Sequence, residues 1–582
     1  MKINLKLALS WIDDHILLIL SGFLIVFIPL FPKIPLAELI PGYIVRMRIE
    51  DVFVAITAVV WIIQVLRGKA KWKSLIFWVI IAYLLIGFLS ILSAIFITPS
   101  IPLELLHVGK TSLHWLRYLE YFVLFLITFS AIKSKKDVRI LVNIIALTTL
   151  AVVVYGYGQR YHYWPVYSTM NREFSKGVRL YLTENARVQS TFAGHYDLAA
   201  YLVITLNLIL ALAYKQSKKT KKIAAHTVHF LGLWLLITTA SRVSYVAYFV
   251  GALAVIALVA SEKETLAKRI KWGLSQSFLI LALVIIMTFL FGADMQERFL
   301  HVFRGYPQVE QTYTAVGDFF SETTEQFLIA TNLKSDRKKE VPGDWIAVEL
   351  DEDYQDLDDV LTKTDERPVE EKPDRTRPDD VYVDVPVTTR VATESADGTT
   401  EYIYLKTERT WSENAMKYGL STAIRLDTLW PNALEGFRHN PLLGKGYATL
   451  NKETFMHFTE AESTDNNFLR TLGETGLLGF ISFYAIITLA MYLAYKFHQV
   501  DRTYTSAISI GFIGASIGLL VNALYIDVFA ASKVAFTYWA ITGIVMALYY
   551  QGRNKQKLQN LTLVSRFQKL KSEIKTKLKI AS

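Results

Sequence analysis

Cysteine is absent from all 582 residues. That excludes a disulfide framework, a thiolate metal site and a cysteine nucleophile. Also missing are a phosphate-cradling glycine loop, a nucleotide motif, zinc-ligand spacing and a Ser/His/Asp constellation. Chemistry built on ATP, a cofactor or a bound metal has no foothold in these residues, so neither cofactor nor metal is expected. No internal repeat is visible. The first apolar run lacks a small-residue cleavage site and further apolar runs follow it, so no removable signal peptide is expected.

Apolar surface is abundant. Hydrophobic residues make up 52% of the chain, and several runs reach the roughly 20 residues that a bilayer core demands. Twelve spans are expected, at His15–Phe31, Asp51–Leu66, Leu75–Ile97, Leu113–Ile132, Val138–Tyr157, Leu198–Tyr214, His226–Thr239, Val243–Ala260, Gly273–Gly292, Gly476–Tyr495, Ser506–Tyr525 and Lys533–Tyr550. The fold class is therefore an all-α polytopic membrane protein. The net charge of +10 does not point to nucleic acid, because the basic residues sit in short loops between apolar runs and in the tail. Arg67–Lys73, Lys133–Arg139, Lys215–Lys222, Glu262–Lys271 and the tail beyond residue 551 all fall on one side of a twelve-span arrangement. The positive-inside rule makes that side cytoplasmic, with both termini inside. The tail from Arg553 to Lys579 carries nine Lys or Arg residues among spaced apolar ones, the pattern of a helix lying on anionic lipid.

This divides the chain into spans and short loops over 1–292, with an external loop at 158–197; a large external loop at 293–475; the last three spans at 476–550; and the basic tail at 551–582. Within the large loop, residues 336–410 read as an acidic insert. Its first half is expected to be disordered. Its second half alternates polar and apolar residues around Asp397–Gly398, which predicts a β-hairpin.

One stretch organises the rest, Phe437 to Phe480. HNPLLGKGY is a turn-rich run in which Pro441, Gly444 and Gly446 break any helix. TDNNFLRTLGETGLLGF then enters an apolar helix. Thr464 or Asp465 is placed to cap it, and Gly473, Gly476 and Gly479 allow a bend or close packing at the membrane entrance. These two halves, in this order, resemble the O-antigen ligase/polymerase superfamily, integral-membrane enzymes that move glycans from a polyprenyl-pyrophosphate carrier. The resemblance implies a GT-C-like glycosyltransferase bundle. It implies a polyprenyl-pyrophosphate-linked glycan as donor, and a glycan, lipid or protein as acceptor. It covers roughly Arg187 to Phe480 without the insert. The ligase branch carries His as base at the position held here by Asp465, which tilts the expectation towards a polymerase or a more general glycan transferase.

Arginines on the external side need a reason, because short loops there are poor in positive charge. Arg187 lies in NARVQSTFAGHYDLAAYL, Arg242 in TTASRVSYVAYF and Arg425 in STAIRLDTLWPNALEGF. Each can snorkel to lipid phosphate or clamp a substrate pyrophosphate with its planar fork of donors. The resemblance places Arg187 and Arg242 in the family's two arginine-bearing segments. The expected machinery is thus Asp465, Arg187 and Arg242, with Arg425, Asn466, His195, His457 and Glu474 assisting at the substrate. Asp465 would take the acceptor hydroxyl proton, with His457 the nearest alternative imidazole. Glu474 is expected to pack against backbone or an arginine, and His439 to be a turn residue. Arg117 and Glu120 are spaced as an intrahelical pair, and Arg46 and Arg48 have Glu50 and Asp51 beside them. The expected location is the inner or plasma membrane, with the active site outside and membrane lipid around it. A flippase or transporter of lipid-linked oligosaccharide is the rival reading. It calls for ionisable residues deep in the spans.

Overall fold

The structure is a computed structural model that describes residues 5–37, 46–169, 174–183, 186–292, 346–348, 388–394, 400–406, 420–450 and 464–553, with isolated positions at 39, 315–331 and 414. Helix dominates. In chain order the helices are α1 (Leu5–Leu30), α2 (Ile49–Leu66), α3 (Leu75–Phe96), α4 (Leu105–Ala131), α5 (Lys135–His162), α6 (His195–Lys215), α7 (Lys219–Thr238), α8 (Arg242–Ser261), α9 (Leu266–Phe291), the short α10 (Leu420–Ile424), α11 (Trp430–His439), α12 (Asn467–Val500) and α13 (Ser506–Asn522). A further helix, α14, covers 532–553. Among the described residues, eight helices are long and apolar enough to cross a membrane: α1, α2, α3, α5, α6, α8, α9 and α12. The protein is a multi-pass, predominantly helical membrane protein.

The helices outrun the apolar runs that predict them. The expected seventh span starts at His226, but α7 starts at Lys219. Lysine is a good helix former and continues the hydrogen-bonded ladder past the apolar core. Ser134 opens α5 with a capping box, in which its hydroxyl accepts the Asp137 N–H and the Asp137 carboxylate accepts the Ser134 N–H.

Helix α6 is buried along nearly its whole length, packed against α7, α8 and α13. Small residues let these backbones approach. A methyl group added at Gly514 of α13 would sit 2.4 Å from Val255 Cγ2 and 2.8 Å from the Gly251 carbonyl of α8, and one at Gly518 would sit 2.7 Å from the Ala247 carbonyl.

Polar residues gather at the two ends of the bundle. At one end Asp13 binds Arg67 at 2.6 Å and Lys69 at 2.5 Å. There too, Lys135 binds Asp501 at 2.6 Å, and Lys215 binds Glu262 at 2.5 Å. Lys215 also donates to the Arg502 carbonyl at 2.9 Å. The basic loops of the sequence therefore meet one another through their acidic neighbours.

At the other end, Lys33 pairs with Glu50 at 3.0 Å, both buried. Arg117 pairs with Glu120 at 2.9 Å, as its spacing predicts, and adds a two-pronged bond to Asp51 at 2.5 and 3.0 Å. Lys533 donates to the carbonyls of Pro29, Phe31 and Thr191 at 3.0, 2.7 and 2.6 Å. It thereby satisfies acceptors at the carboxyl end of α1 that have no helical partner.

Among the described residues, sheet is confined to three small pairs. Strands β1 (Pro35–Ala37) and β2 (Met47–Arg48) are antiparallel. Strand β3 (Leu180–Leu182) runs parallel to β4 (Ile346–Val348), joining the segment between α5 and α6 to the one between α9 and α10. Strands β5 (Thr388–Glu394) and β6 (Thr400–Lys406) form the expected hairpin, with Glu394 opposite Thr400. Its Asp397–Gly398 tip, the acidic half of the insert and the basic tail beyond residue 553 lie outside the described residues.

Two outcomes follow. Gly514→Leu should force α8 and α13 apart at a cost of about 1–3 kcal/mol, lowering the melting temperature of detergent-solubilised protein. Gly273→Ala, whose added methyl stays 3.8 Å from Ala260 Cβ, should leave it unchanged. Equal melting of both variants would remove the close-packing account. The second outcome concerns Lys33. Burial, with the Arg48 guanidinium nearby, pulls its ammonium down to about 8 from 10.5. Between those values the unfolded chain holds a proton that the folded chain has released, so this group's contribution to stability rises with pH across the window. Melting curves of wild type minus Lys33→Met should show a difference that grows from pH 8 to 10.5; a flat or falling difference would contradict this.

Candidate functional site

The two halves of the sequence signature meet main chain to main chain. Helix α12 is broken at Gly476, which lies at φ 63° and ψ −167°. An unbroken helix would bond Leu477 N–H to the Gly473 carbonyl and Leu478 N–H to the Glu474 carbonyl. Instead the turn supplies the partners. Lys445 N–H and Gly446 N–H donate to the carbonyls of Gly473 and Glu474 at 2.9 and 3.0 Å. Leu477 N–H and Leu478 N–H donate to the carbonyls of Pro441 and Leu442 at 2.8 and 3.2 Å. Approach this close leaves no room for side chains: a methyl group at Gly444 would lie 2.5 Å from the Glu474 carbonyl carbon, and one at Gly476 would lie 2.4 Å from that of Leu442. Both glycines also have positive φ, which L side chains resist.

Helices α3 and α4 and the loop between them hold the turn. Ser90 donates to the Glu474 carbonyl at 2.9 Å, Ser100 to the Lys445 carbonyl at 2.7 Å and Thr111 to the Tyr447 carbonyl at 3.0 Å. Asn440 donates to Ser93 Oγ at 2.9 Å. His439, the last residue of α11, stands 3.3 Å from the Thr98 carbonyl.

Just before α12 the chain presents Asp465. Thr464 and Asn466 on either side are buried, whereas the Asp465 side chain is 32% exposed. Its carboxylate binds Arg425 at 2.9 Å. The expected cap needs correction: neither Thr464 nor Asp465 caps α12. Asn466 does, its Oδ1 accepting the N–H groups of Phe468 and Leu469 at 3.0 Å. The reason is local. Asp465 lies at φ 51°, in the left-handed region, so the residue entering the helix in extended backbone is the next one. Asn466 thus spends its side-chain oxygen on the helix.

Arg425 opens a single π turn, Arg425–Leu429, set between α10 and α11. Its guanidinium carbon lies 5.8 Å from the centre of the Tyr525 ring, which in turn lies 5.9 Å from Trp430. Glu474 is buried and faces inward, accepting the Ala448 N–H at 3.0 Å and pairing with Arg470 at 3.3 Å. This matches the expectation that it packs against backbone and an arginine.

The second arginine segment runs alongside. Arg187 Nη1 lies 3.2 Å from His195 Nε2 at the start of α6. The next residue, Val188, donates its N–H to the Thr238 carbonyl at 3.1 Å, which docks this segment on the tight α7–α8 turn. Arg242, exposed, is the first residue of α8 on that turn. Ser241 bonds Ser244 at 2.8 Å, Ser244 donates to Asn522 Oδ1 at 3.3 Å, and the Ala523 carbonyl accepts the Asn467 N–H at 2.8 Å. A continuous set of bonds therefore runs from the Arg187–His195 pair, past Arg242, to the loop that presents Asp465 to Arg425. His457 lies outside the described residues.

No protein-family model matches the chain, and no curated protein matches it. What the site can do is therefore argued from its own groups. Among the described residues there is no cluster of three or more side chains fit to hold a metal ion. The arrangement offers fixed cations for an anionic group and one partly open carboxylate to take a proton.

Arg470 and Asp527 are neighbours of this arrangement that the sequence did not single out. Arg470 pairs with Asp527 at 3.1 Å as well as with Glu474. An arginine in LRTL and an aspartate after a span carry no pattern of their own. Their pairing joins positions 57 apart in sequence.

The glycine requirement is testable. Gly476→Ala combines a disfavoured φ with a clash against backbone, neither of which side-chain rotation relieves. It should cost at least the roughly 1–3 kcal/mol of a strained residue and lower the melting temperature, whereas Ser482→Ala in the same helix should have little effect. An unperturbed Gly476→Ala protein would mean that turn and bend are not locked together.

Proposed function

We propose that the protein is a membrane glycosyltransferase of the O-antigen ligase/polymerase type, which transfers or polymerises a polyprenyl-pyrophosphate-linked glycan at the external face of the plasma or inner membrane. The observation that carries this reading is the Arg425–Asp465 pair, set at the start of the helix that completes the Pro441–Gly446 turn and bonded through α13 to the segments bearing Arg187 and Arg242. A twelve-span arrangement, adding α4, α7, α13 and α14 to the eight helices, is part of the proposal. So are cytoplasmic termini, supported by the mutual contacts of the basic loops at the opposite end of the bundle.

In this reading Asp465 accepts the proton of an acceptor hydroxyl, and the freed oxygen attacks the anomeric carbon of the donor. The bond from that carbon to the bridging phosphate oxygen breaks, and the electron pair leaves with the pyrophosphate. Arg187 and Arg242 neutralise the growing charge. Arg425 assists by holding Asp465 in place. A single displacement inverts the configuration at the anomeric carbon, and a retained configuration in the product would count against it.

The test is reconstitution in lipid with polyprenyl-pyrophosphate glycan and candidate acceptors. Wild type should release polyprenyl pyrophosphate and build longer or acceptor-linked glycan. Asp465→Asn should lower kcat by about 10²–10⁴-fold, and Arg187→Ala or Arg242→Ala by about 10²–10³-fold, with unchanged melting. Full activity of Asp465→Asn would move the base elsewhere. Glycan crossing the bilayer without turnover would replace the transferase with the flippase.

A further inference from the structure

Asp465 is partly exposed, yet the residues on either side of it are buried and their N–H groups are hydrogen-bonded. The holder is Asp527, a buried residue in the short segment between α13 and α14. One of its oxygens, Oδ2, accepts the Thr464 N–H at 2.9 Å, and the other, Oδ1, accepts the Asn466 N–H at 3.2 Å. The carboxylate thus straddles Asp465, bonding the residue before it and the residue after it. This matches the backbone of Asp465 itself, which stands at φ 51°, a conformation that a non-glycine residue keeps only where its surroundings impose it.

The arrangement continues inward. Arg470 bonds the same Oδ2 at 3.1 Å and reaches Glu474 at 3.3 Å, and Glu474 accepts the Ala448 N–H at 3.0 Å. A buried chain of alternating charges, Asp527–Arg470–Glu474, therefore ties the Asp465 loop to the turn that ends at Ala448. Buried ions of this kind are costly unless each is paired and hydrogen-bonded, and here each one is. Asn467 adds a brace, donating its N–H to the Ala523 carbonyl at 2.8 Å and accepting the Phe529 N–H at 3.2 Å on its side chain. Both contacts grip the segment that carries Asp527.

We propose that Asp527 is a positioning residue for the transfer reaction: it fixes the strained backbone of Asp465 so that the carboxylate faces Arg425 and the acceptor. This rests on the transferase reading above. It assigns Asp527 no contact with substrate. Arg470, itself paired with Glu474, fixes Asp527 in turn.

Two measurements on the full-length protein in lipid test it. The first is residue-resolved hydrogen exchange, which needs no activity. Asp527→Ala should speed exchange at the Thr464 and Asn466 amides by about tenfold or more, since these amides lose the carboxylate that accepts them, while exchange from Ser482 onward in α12 stays unchanged. Asp527→Asn, which keeps an acceptor oxygen, should fall between. The second is a kinetic cycle. Asp527→Ala should lower kcat by about 10–100-fold, the cost of misplacing a reacting group by an ångström or so, and shift the KM for donor less than threefold. In the Asp465→Asn background the same change should cost almost nothing more, because the group being positioned is already gone. Unchanged exchange at both amides overturns the proposal, and so does a kcat loss that multiplies with that of Asp465→Asn. If Asp527→Ala does not fold, Asp527→Asn carries both readouts. If the wild type makes no glycan product, the transferase reading fails, and the exchange result alone decides whether Asp527 holds the loop.

Discussion

The end of the bundle that carries Asp465 depends on one exchange of hydrogen bonds. By breaking at Gly476, α12 gives up two of its own bonds, and the Pro441–Gly446 turn takes up all four freed groups. Unpaired backbone groups near an apolar interior are costly, so turn and bend each complete the other. Everything nearby inherits its place from this. The turn leans on serine and threonine hydroxyls of α3 and α4, α11 leads into it, and Arg425 lies one π turn ahead of α11. On the other side, the first turn of α12 carries the Asn466 cap and, just before it, Asp465.

Charge at this end is handled in two ways. Lys33, Glu50, Asp51, Arg117 and Lys533 are bound to one another or to carbonyls at helix ends. They knit the loops after α1 to α2, α4 and α14, leaving their charges internally answered. Arg242 and Asp465, by contrast, keep exposed surface. The division separates ions that hold the structure from ions that keep open surface.

Much of this is legible in the residues. Apolar runs locate the helices, because length and composition are what a bilayer selects. The glycines of HNPLLGKGY and GETGLLG announce a bend, because few other residues allow it. The alternation around residues 388–406 marks a hairpin. Other features leave no trace. That Asn466 rather than Asp465 caps α12 depends on the φ of Asp465, which reflects a carboxylate some sixty residues downstream. The β3–β4 pair consists of two three-residue strands from different loops, too short for any alternation to show. The reach of Lys533 to three carbonyls is a matter of packing among α1, α14 and the segment at Thr191, and a lysine at the start of an apolar run reads only as a loop charge.

The π turn at Arg425–Leu429 carries a consequence of its own. Trp430 N–H bonds back to the Arg425 carbonyl, five residues away rather than four. Such a turn holds one residue more than the α-helix around it needs. Deleting that surplus residue would let α10 and α11 fuse into one regular helix while rotating everything ahead of it by about 100°. The guanidinium would then swing from Asp465 to another face, with composition, charge and apparent motif all intact. The aim of this arginine is therefore a matter of counting: two chains that agree at every named residue, but differ by one in this interval, would present different surfaces to the same carboxylate.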